Sequence, residues 1–285
     1  MKRYITVVIL LGMVLAGCSQ KTMLPTDNRV YDSPENYDLK YSDHYFHSSD
    51  GTIIEGWWFK AKGEKKGMVV VSNGIIQNMS ARFVKWMWVT DAGYDLFLFD
   101  YRGYGRSKAD PDMYAYVDDV KAGIEYAHAL NGEGTMIVCG QSMGGSLVID
   151  AVAQGNYPYI SALIIDSTFT DFASAGNRLM ARSIILWPWS WLPYVFRLKG
   201  MDAIDYVGKI DKPMLFITGT ADSVVEPENT LTLFLKADTV KSFWLVEGAG
   251  HVRGFDRPEV RQELLKWLEA MANGAELPPS EMRIY

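Results

Sequence analysis

Met136-Ile137-Val138-Cys139-Gly140-Gln141-Ser142-Met143-Gly144 carries an apolar run into a serine flanked by glycines, and a helical pattern follows from Met143 to Gln154. The five residues Gly140 to Gly144 fit G-x-S-x-G. Directly after a predicted strand and before a predicted helix, such a serine sits on a tight, strained turn, with its hydroxyl projecting from the carboxyl edge of a sheet. A Cβ on either side would clash in that turn, which is why both neighbours are glycine. The helix N-terminus beneath the serine favours developing negative charge. A phosphate-cradling loop does not fit the stretch, because the lysine is missing and the spacing differs.

Outward from this stretch, short apolar runs alternate with longer helical patterns. The runs are Met68 to Val71, Leu96 to Phe99, Met136 to Cys139, Ala162 to Ile165, Met214 to Ile217 and Phe243 to Val246. They are continuous rather than alternating, as expected of parallel strands covered on both faces. Ahead of them, Tyr45-Phe46-His47 and Thr52 to Phe59 read as an antiparallel pair joined at Ser49-Asp50-Gly51. Helical stretches fall at Met79 to Asp91, Met113 to Leu130, Met143 to Gln154, Glu226 to Lys236 and Pro258 to Ala272. The alternation predicts an α/β fold with a doubly wound, mostly parallel sheet of about eight strands. Ser167 to Asp211 breaks the rhythm: it is long and aromatic-rich without a clear strand, and is the candidate for a short helical lid.

A serine hydroxyl is a poor nucleophile near neutral pH and needs a base. The histidines are His44, His47, His128 and His251. The first two flank the first predicted strand, and His128 lies late in a helix. His251, in Glu247-Gly248-Ala249-Gly250-His251, follows the last predicted strand, and a loop there leaves the same edge as Ser142. The third member of such a site is a buried carboxylate that orients the imidazole. Asp222, in Gly219-Thr220-Ala221-Asp222, is the candidate, and Asp166 after the sixth strand is the runner-up. The chain order Ser142, Asp222, His251 is one in which this chemistry recurs.

The 285 residues are 48% apolar and 22% charged, a globular profile. One large domain of this length buries a substantial core without a disulfide or metal. A formal charge of −6 with scattered basic residues disfavours nucleic acid as a partner. The cysteines, Cys18 and Cys139, form no disulfide framework, and the histidines show no zinc spacing. Cys139 ends an apolar run and reads as a small buried hydrophobe.

At the N-terminus, Lys2 and Arg3 precede an apolar run from Tyr4 to Leu15. A basic start, a short apolar segment and small residues describe a signal peptide, and the run is too short to span a bilayer comfortably. Leu15-Ala16-Gly17-Cys18 resembles the lipobox of bacterial lipoproteins. That resemblance implies cleavage before Cys18, acylation of its thiol and anchorage in the cell envelope, in the outer membrane of a Gram-negative cell because Ser19 rather than Asp follows. Cleavage would take the net charge from −6 to −8 by removing Lys2 and Arg3. The expected organisation is therefore a signal peptide over 1–17 and a lipidated tether over 18–40. A folded domain follows over 41–273, with the lid at about 167–211, and then a tail over 274–285.

From about Tyr41 to Ala272 the chain resembles the α/β-hydrolase superfamily, closest to its small-lid serine hydrolases related to esterases and peptidases. Four motifs carry the likeness: Phe99-Asp100-Tyr101-Arg102-Gly103-Tyr104-Gly105-Arg106-Ser107, the Ser142 turn, the Asp222 segment and Gly250-His251. In the first of these the glycines shape a loop beside the site, and the arginines are not catalytic. The family usually has His-Gly after the third strand, where this chain reads Ser72-Asn73-Gly74-Ile75-Ile76, so Asn73 stands at the histidine position. The family's proline after the acid is also displaced by one, to Pro227. The resemblance implies a Ser142–His251–Asp222 triad and an oxyanion hole of backbone N–H groups from Met143 and from Ile75 or Ile76. No metal or organic cofactor is implied.

The expected substrate is a small-molecule acyl compound, preferably an ester. A peptidase on the same triad, and a non-catalytic envelope lipoprotein using the fold as a binding module, stand as alternatives. Leu186 to Phe196 packs five aromatics and two prolines into eleven residues. These rings either pin a short lid to the sheet, as aromatics usually do, or form a surface for acyl chains or a bilayer. Packing is the favoured expectation. Trp57, Trp58, Trp86 and Trp88 read as core or near-core. The sequence carries no signal for oligomeric state.

Overall fold

Each central strand sends alternate side chains to opposite faces, and here both faces are apolar. In β3 (Gly67–Ser72), Met68 and Val70 enter one core while Val69 and Val71 enter another. The same division holds for Phe97 and Phe99 against Leu96 and Leu98 in β4 (Tyr94–Asp100), and for Val138 against Ile137 and Cys139 in β5 (Met136–Gln141). A strand with two buried faces needs helices on both sides, which explains the unbroken apolar runs.

The structure is a computed structural model and describes residues 26–195, 200–273 and 280–285. Its other strands are β1 (Ser42–His47), β2 (Ile53–Phe59), β6 (Ile160–Asp166), β7 (Met214–Gly219), β8 (Lys241–Val246) and β9 (Glu281–Ile284). They form one sheet in the order β1-β2-β4-β3-β5-β6-β7-β8-β9, in which β2 alone runs against the rest. Helices α3 (Met113–Asn131), α4 (Met143–Gln154) and α8 (Pro227–Lys236) cover one face. Helices α1 (Met79–Trp86) and α9 (Pro258–Asn273) cover the other. This is the doubly wound, mostly parallel architecture expected. Cys139 is fully buried in the second core, as expected. Among the described residues, no helix is long and apolar enough to cross a membrane.

Four local expectations are corrected. Among the described residues the sheet has nine strands rather than eight, because residues 281–284 of the expected tail pair in parallel with β8. The helix expected over Met79 to Asp91 is interrupted at Met87, whose amide donates to the Val84 carbonyl at 3.3 Å in a tighter turn. The Thr90 hydroxyl donates to the Met87 carbonyl at 2.8 Å, and the short α2 (Trp88–Asp91) begins there. Residues 26–40, expected as part of a tether, lie on the domain. The Asn78 side-chain amide donates to the carbonyls of Asp27 and Arg29 at 2.9 and 2.6 Å. The Tyr31 amide donates to Ser80 Oγ at 2.9 Å, and Asp27 bridges Tyr104.

The last correction concerns the lid segment, where α5 (Phe172–Ala181), a 3₁₀ turn (Trp187–Trp189), α6 (Leu192–Val195) and α7 (Ala203–Tyr206) lie. The rings of the Trp187–Tyr194 stretch do not pin it down: Trp187, Trp189 and Trp191 are 61%, 50% and 55% exposed, while Phe169 and Phe172 are the rings of the segment that pack on the core. The loop is held instead by its own polar bonds, such as Asn177 Nδ2 to the Ser190 carbonyl at 2.7 Å. By contrast, Trp57 and Trp86 are buried, and Trp58 and Trp88 partly so, as expected.

Asp100, at the end of β4, is buried with Oδ1 accepting the Met79 amide at 2.7 Å. Burial is the main cause that pushes its carboxyl up to about 8, with the Met79 bond opposing and nearby Glu55 adding to the rise. In the unfolded chain the same group loses its proton at about pH 4. The folded state therefore binds more protons over that interval, so this contribution to stability is full below about pH 4 and is lost as pH rises through about 8. Asp100→Asn, which copies the protonated shape, is expected to flatten the fall in Tm between pH 6 and 8. Thermal melts across that range check it, and a slope equal to wild type would refute the assignment.

Candidate active site

Ser142 stands between β5 and α4 with φ +54° and ψ −120°, a backbone that a non-glycine residue holds only under strain of about 1–3 kcal/mol. Its amide donates to the Asp166 carbonyl at 2.8 Å, which fastens the turn to the end of β6. Met143 is the first residue of α4, so its N–H is one of the four that a helix leaves without an internal acceptor. The loop after β3 passes against the serine: a Cβ on Gly74 would stand 3.2 Å from Ser142 Cβ and 3.7 Å from its Oγ.

Asp222 and His251 leave the ends of β7 and β8, on the same sheet edge. The His251 ring meets the carboxylate, with Nδ1 2.8 Å from Asp222 Oδ2. The other carboxylate oxygen accepts the amides of Val224 and Val225 at 2.9 Å each. The acid is thus buried and held from both sides, while the imidazole remains partly accessible.

Asp166, the runner-up acid, is engaged elsewhere. It accepts from Gln141 Nε2 at 2.7 Å and from Ser167 Oγ at 2.9 Å. Burial pushes its carboxyl up to about 6, against those two hydrogen bonds. Ser167 Oγ in turn accepts the Val252 amide at 3.2 Å, tying Asp166 to the residue after His251. Ser167 and Val252 both have positive φ, +53° and +50°, so the strained backbone clusters on this edge.

The other histidines serve packing or solvent. His44 Nδ1 lies 2.9 Å from Tyr126 Oη, His128 stacks on Tyr159 with ring centroids 3.6 Å apart, and His47 is exposed at the end of β1. Arg102 pairs with Asp119 and Asp50, and Arg106 with Glu55 and Asp43, in keeping with their reading as structural. Beyond its glycines, that motif acts through its tyrosines. Tyr101 Oη donates to the Asn73 carbonyl at 2.6 Å and Tyr104 Oη to the Ile75 carbonyl at 3.0 Å, which braces the loop facing Ser142. Two tyrosines three residues apart beside glycines were the available signal. Asn73 is buried, and neither polar atom of its side chain finds a partner among the described residues. Cys18 lies outside the described residues. Among the described residues no group of three or more His, Cys, Asp or Glu is placed to hold a metal ion.

A family model described as "Serine aminopeptidase, S33" matches residues 63–193. The YfhR protein of Salmonella typhimurium is 30% identical over 245 residues, which cover 80% of this chain and 80% of that protein. The α/β-hydrolase domain-containing protein WAV2 of Arabidopsis thaliana is 26% identical over 255 residues, covering 81% and 79%. Among solved structures, the Pyrococcus furiosus esterase Pf2001 superposes with a TM-score of 0.69 at 19% identity, over 88% of this chain and 97% of that one. With the sheet order and this spread of likeness together, the chain belongs to the α/β-hydrolase superfamily, in the family that includes YfhR.

Proposed function

We propose that the protein is a membrane-anchored serine hydrolase that cleaves an acyl bond, preferably a carboxylic ester, through Ser142, His251 and Asp222. The observation that carries this reading is the strained Ser142 turn on the same sheet edge as the His251–Asp222 pair. With Nδ1–H of His251 donated to Asp222, Nε2 is the ring nitrogen left to take the Ser142 proton. Ser142 Oγ then attacks the substrate carbonyl carbon. The N–H groups of Met143 and of Ile75 or Ile76 hold the oxyanion, each such donor typically contributing about 3 kcal/mol to transition-state stabilisation. The leaving alcohol takes the proton from His251. Water, deprotonated by the same ring, then releases the acid and frees the serine.

The ester preference rests on the apolar lid and on the lipobox-like Leu15-Ala16-Gly17-Cys18, whose resemblance supports a domain anchored at a membrane outside the cytoplasm. The peptidase reading draws on the description of the matching family model, but among the described residues no group placed to hold a peptide terminus supports it.

Treatment of the full chain with a fluorophosphonate is expected to modify Ser142, located by peptide mass spectrometry, and to leave Ser142→Ala unmodified. Failure of folded wild-type protein to react would replace the hydrolase with the binding-module reading. Turnover of p-nitrophenyl esters set against aminoacyl substrates then decides ester against peptide.

A further inference from the structure

Among the described residues, exposed large hydrophobic side chains gather on a ridge from Leu179 to Val195. Ile184 and Ile185 are 90% and 77% exposed, and the three tryptophans, Tyr194 and Val195 extend the same apolar stretch. Arg182 is the one charged residue between Leu179 and Val195. Exposed tryptophan and branched aliphatic side chains, with no acidic residue of their own and the nearby Glu226 engaged by Arg178, match the water–lipid interface, where indole sits at the headgroup level. The ridge is tethered through Met180, which is buried, and through Asn177 of α5, which holds the Ser190 carbonyl, while its isoleucines and tryptophans stay outside. Trp191 Nε1 donates within the loop to the Pro188 carbonyl at 3.1 Å, and Arg178, in α5, pairs with Glu226 at the start of α8.

The path of the N-terminal segment indicates what covers this ridge. Residues from Asp27 onward are docked on the carboxyl edge of the sheet: the Gly105 amide donates to the Asp27 carbonyl at 2.9 Å, and Asn78 grips the same carbonyl. Seven residues, Ser19 to Pro25, therefore separate Cys18 from the first described residue, Thr26. Fully extended, that length of chain reaches at most about 30 Å, against about 45 Å for the width of a domain of this size. An acyl group on Cys18 thus cannot hold the opposite side of the domain against a bilayer. Tyr104 and Asn78 follow β4 and β3, Ser142 follows β5, and the ridge follows β6. In the sheet order β4-β3-β5-β6, the anchor root and the root of the ridge lie three strand spacings apart, roughly 15 Å, with Ser142 between them.

We propose that the ridge Leu179–Val195 seats in the membrane interface, so that the sheet edge carrying Ser142 faces the bilayer holding Cys18 and receives acyl substrates dissolved in it. This rests on the lipid-anchored hydrolase reading above. The occupant of the ridge is lipid rather than a second copy of the chain, because the short anchored root already brings this edge to the membrane.

The test uses the lipidated full chain carrying Ile184→Cys, labelled with an environment-sensitive fluorophore. The chain is reconstituted in phosphatidylethanolamine–phosphatidylglycerol vesicles with or without spin-labelled lipid. Cys139 is buried and Cys18 is acylated, so the introduced thiol is the reactive one. A label at Glu64→Cys, on the opposite sheet edge before β3, serves as control. The label at 184 is expected to shift to the blue and to be quenched by the spin-labelled lipid roughly threefold more than the label at 64, as for side chains buried 5–10 Å into the interface. A label at 184 that stays in water overturns the proposal. So does one that is shielded but not quenched, which would assign the ridge to protein, and so does a chain that fails to float with vesicles. Fluorophosphonate treatment of the same sample reports separately on Ser142, so loss of the hydrolase reading and loss of the docking proposal are told apart.

Discussion

Replacing His251 by alanine is expected to lower kcat on an activated ester about a millionfold, and adding Ser142→Ala should lower it no further. Groups that act as one unit lose nearly everything with the first member removed, and what remains comes from binding and the oxyanion donors. Asp222→Asn keeps the shape but offers the wrong tautomer to His251, and is expected to cost about ten-thousandfold. Asp166→Asn should cost far less, because its carboxylate binds Gln141 and Ser167 rather than the imidazole. Steady-state kinetics on the four variants check the assignment. A large loss in Asp166→Asn with a small one in Asp222→Asn would reverse the two acids, and additive losses for His251 and Ser142 would mean that they do not share a proton.

Gly144→Ala is expected to be among the most damaging small substitutions to stability. A Cβ there would run into the backbone carbonyl of Ser72 and stand 2.5 Å from that of Asn73. At Gly140 it would stand 2.5 Å from Gly145 Cα. In both cases the obstacles are main-chain atoms of packed elements, which cannot swing aside as a side chain can. The cost is about 3 kcal/mol or more, and a loss of that size lowers Tm by about 6–12 °C in a domain of this length. Gly132→Ala is the control: its φ is +66° and its ψ −143° but nothing lies within 4 Å, so only backbone strain of about 1–3 kcal/mol is expected. Melting curves that rank Gly132→Ala with the other two would show that conformation, not contact, dictates glycine at this turn.

What was legible in the chain was whatever depends on period and on order. The unbroken apolar runs of β3 to β8 mark parallel strands with two covered faces, and α4 begins and ends where the pattern predicts. The same sheet edge collects Ser142, Asp222 and His251 because a parallel sheet sends every loop after a strand to one side. What escaped depends on individual side chains. Residues 26–40 are polar and read as tether, yet they dock through Asn78 and Ser80, donors and acceptors that no periodicity reveals. The bracing of the Asn73–Ile75 loop by Tyr101 and Tyr104 is of the same kind. The lid aromatics misled for another reason: rings usually bury themselves, and here they face outward.

The ninth strand was invisible because its alternation, Glu281, Met282, Arg283, Ile284, reads as an unremarkable charged tail. Its pairing decides what the margin of the sheet presents to other molecules. A chain clipped after residue 273 would bare the hydrogen-bonding groups of β8 along Phe243 to Val246, a short aromatic and aliphatic strand of the kind that recruits strands from neighbouring copies and seeds aggregates. With β9 in place, the outermost strand instead shows Glu281 and Arg283 to solvent, so these last residues act as a guard against self-association.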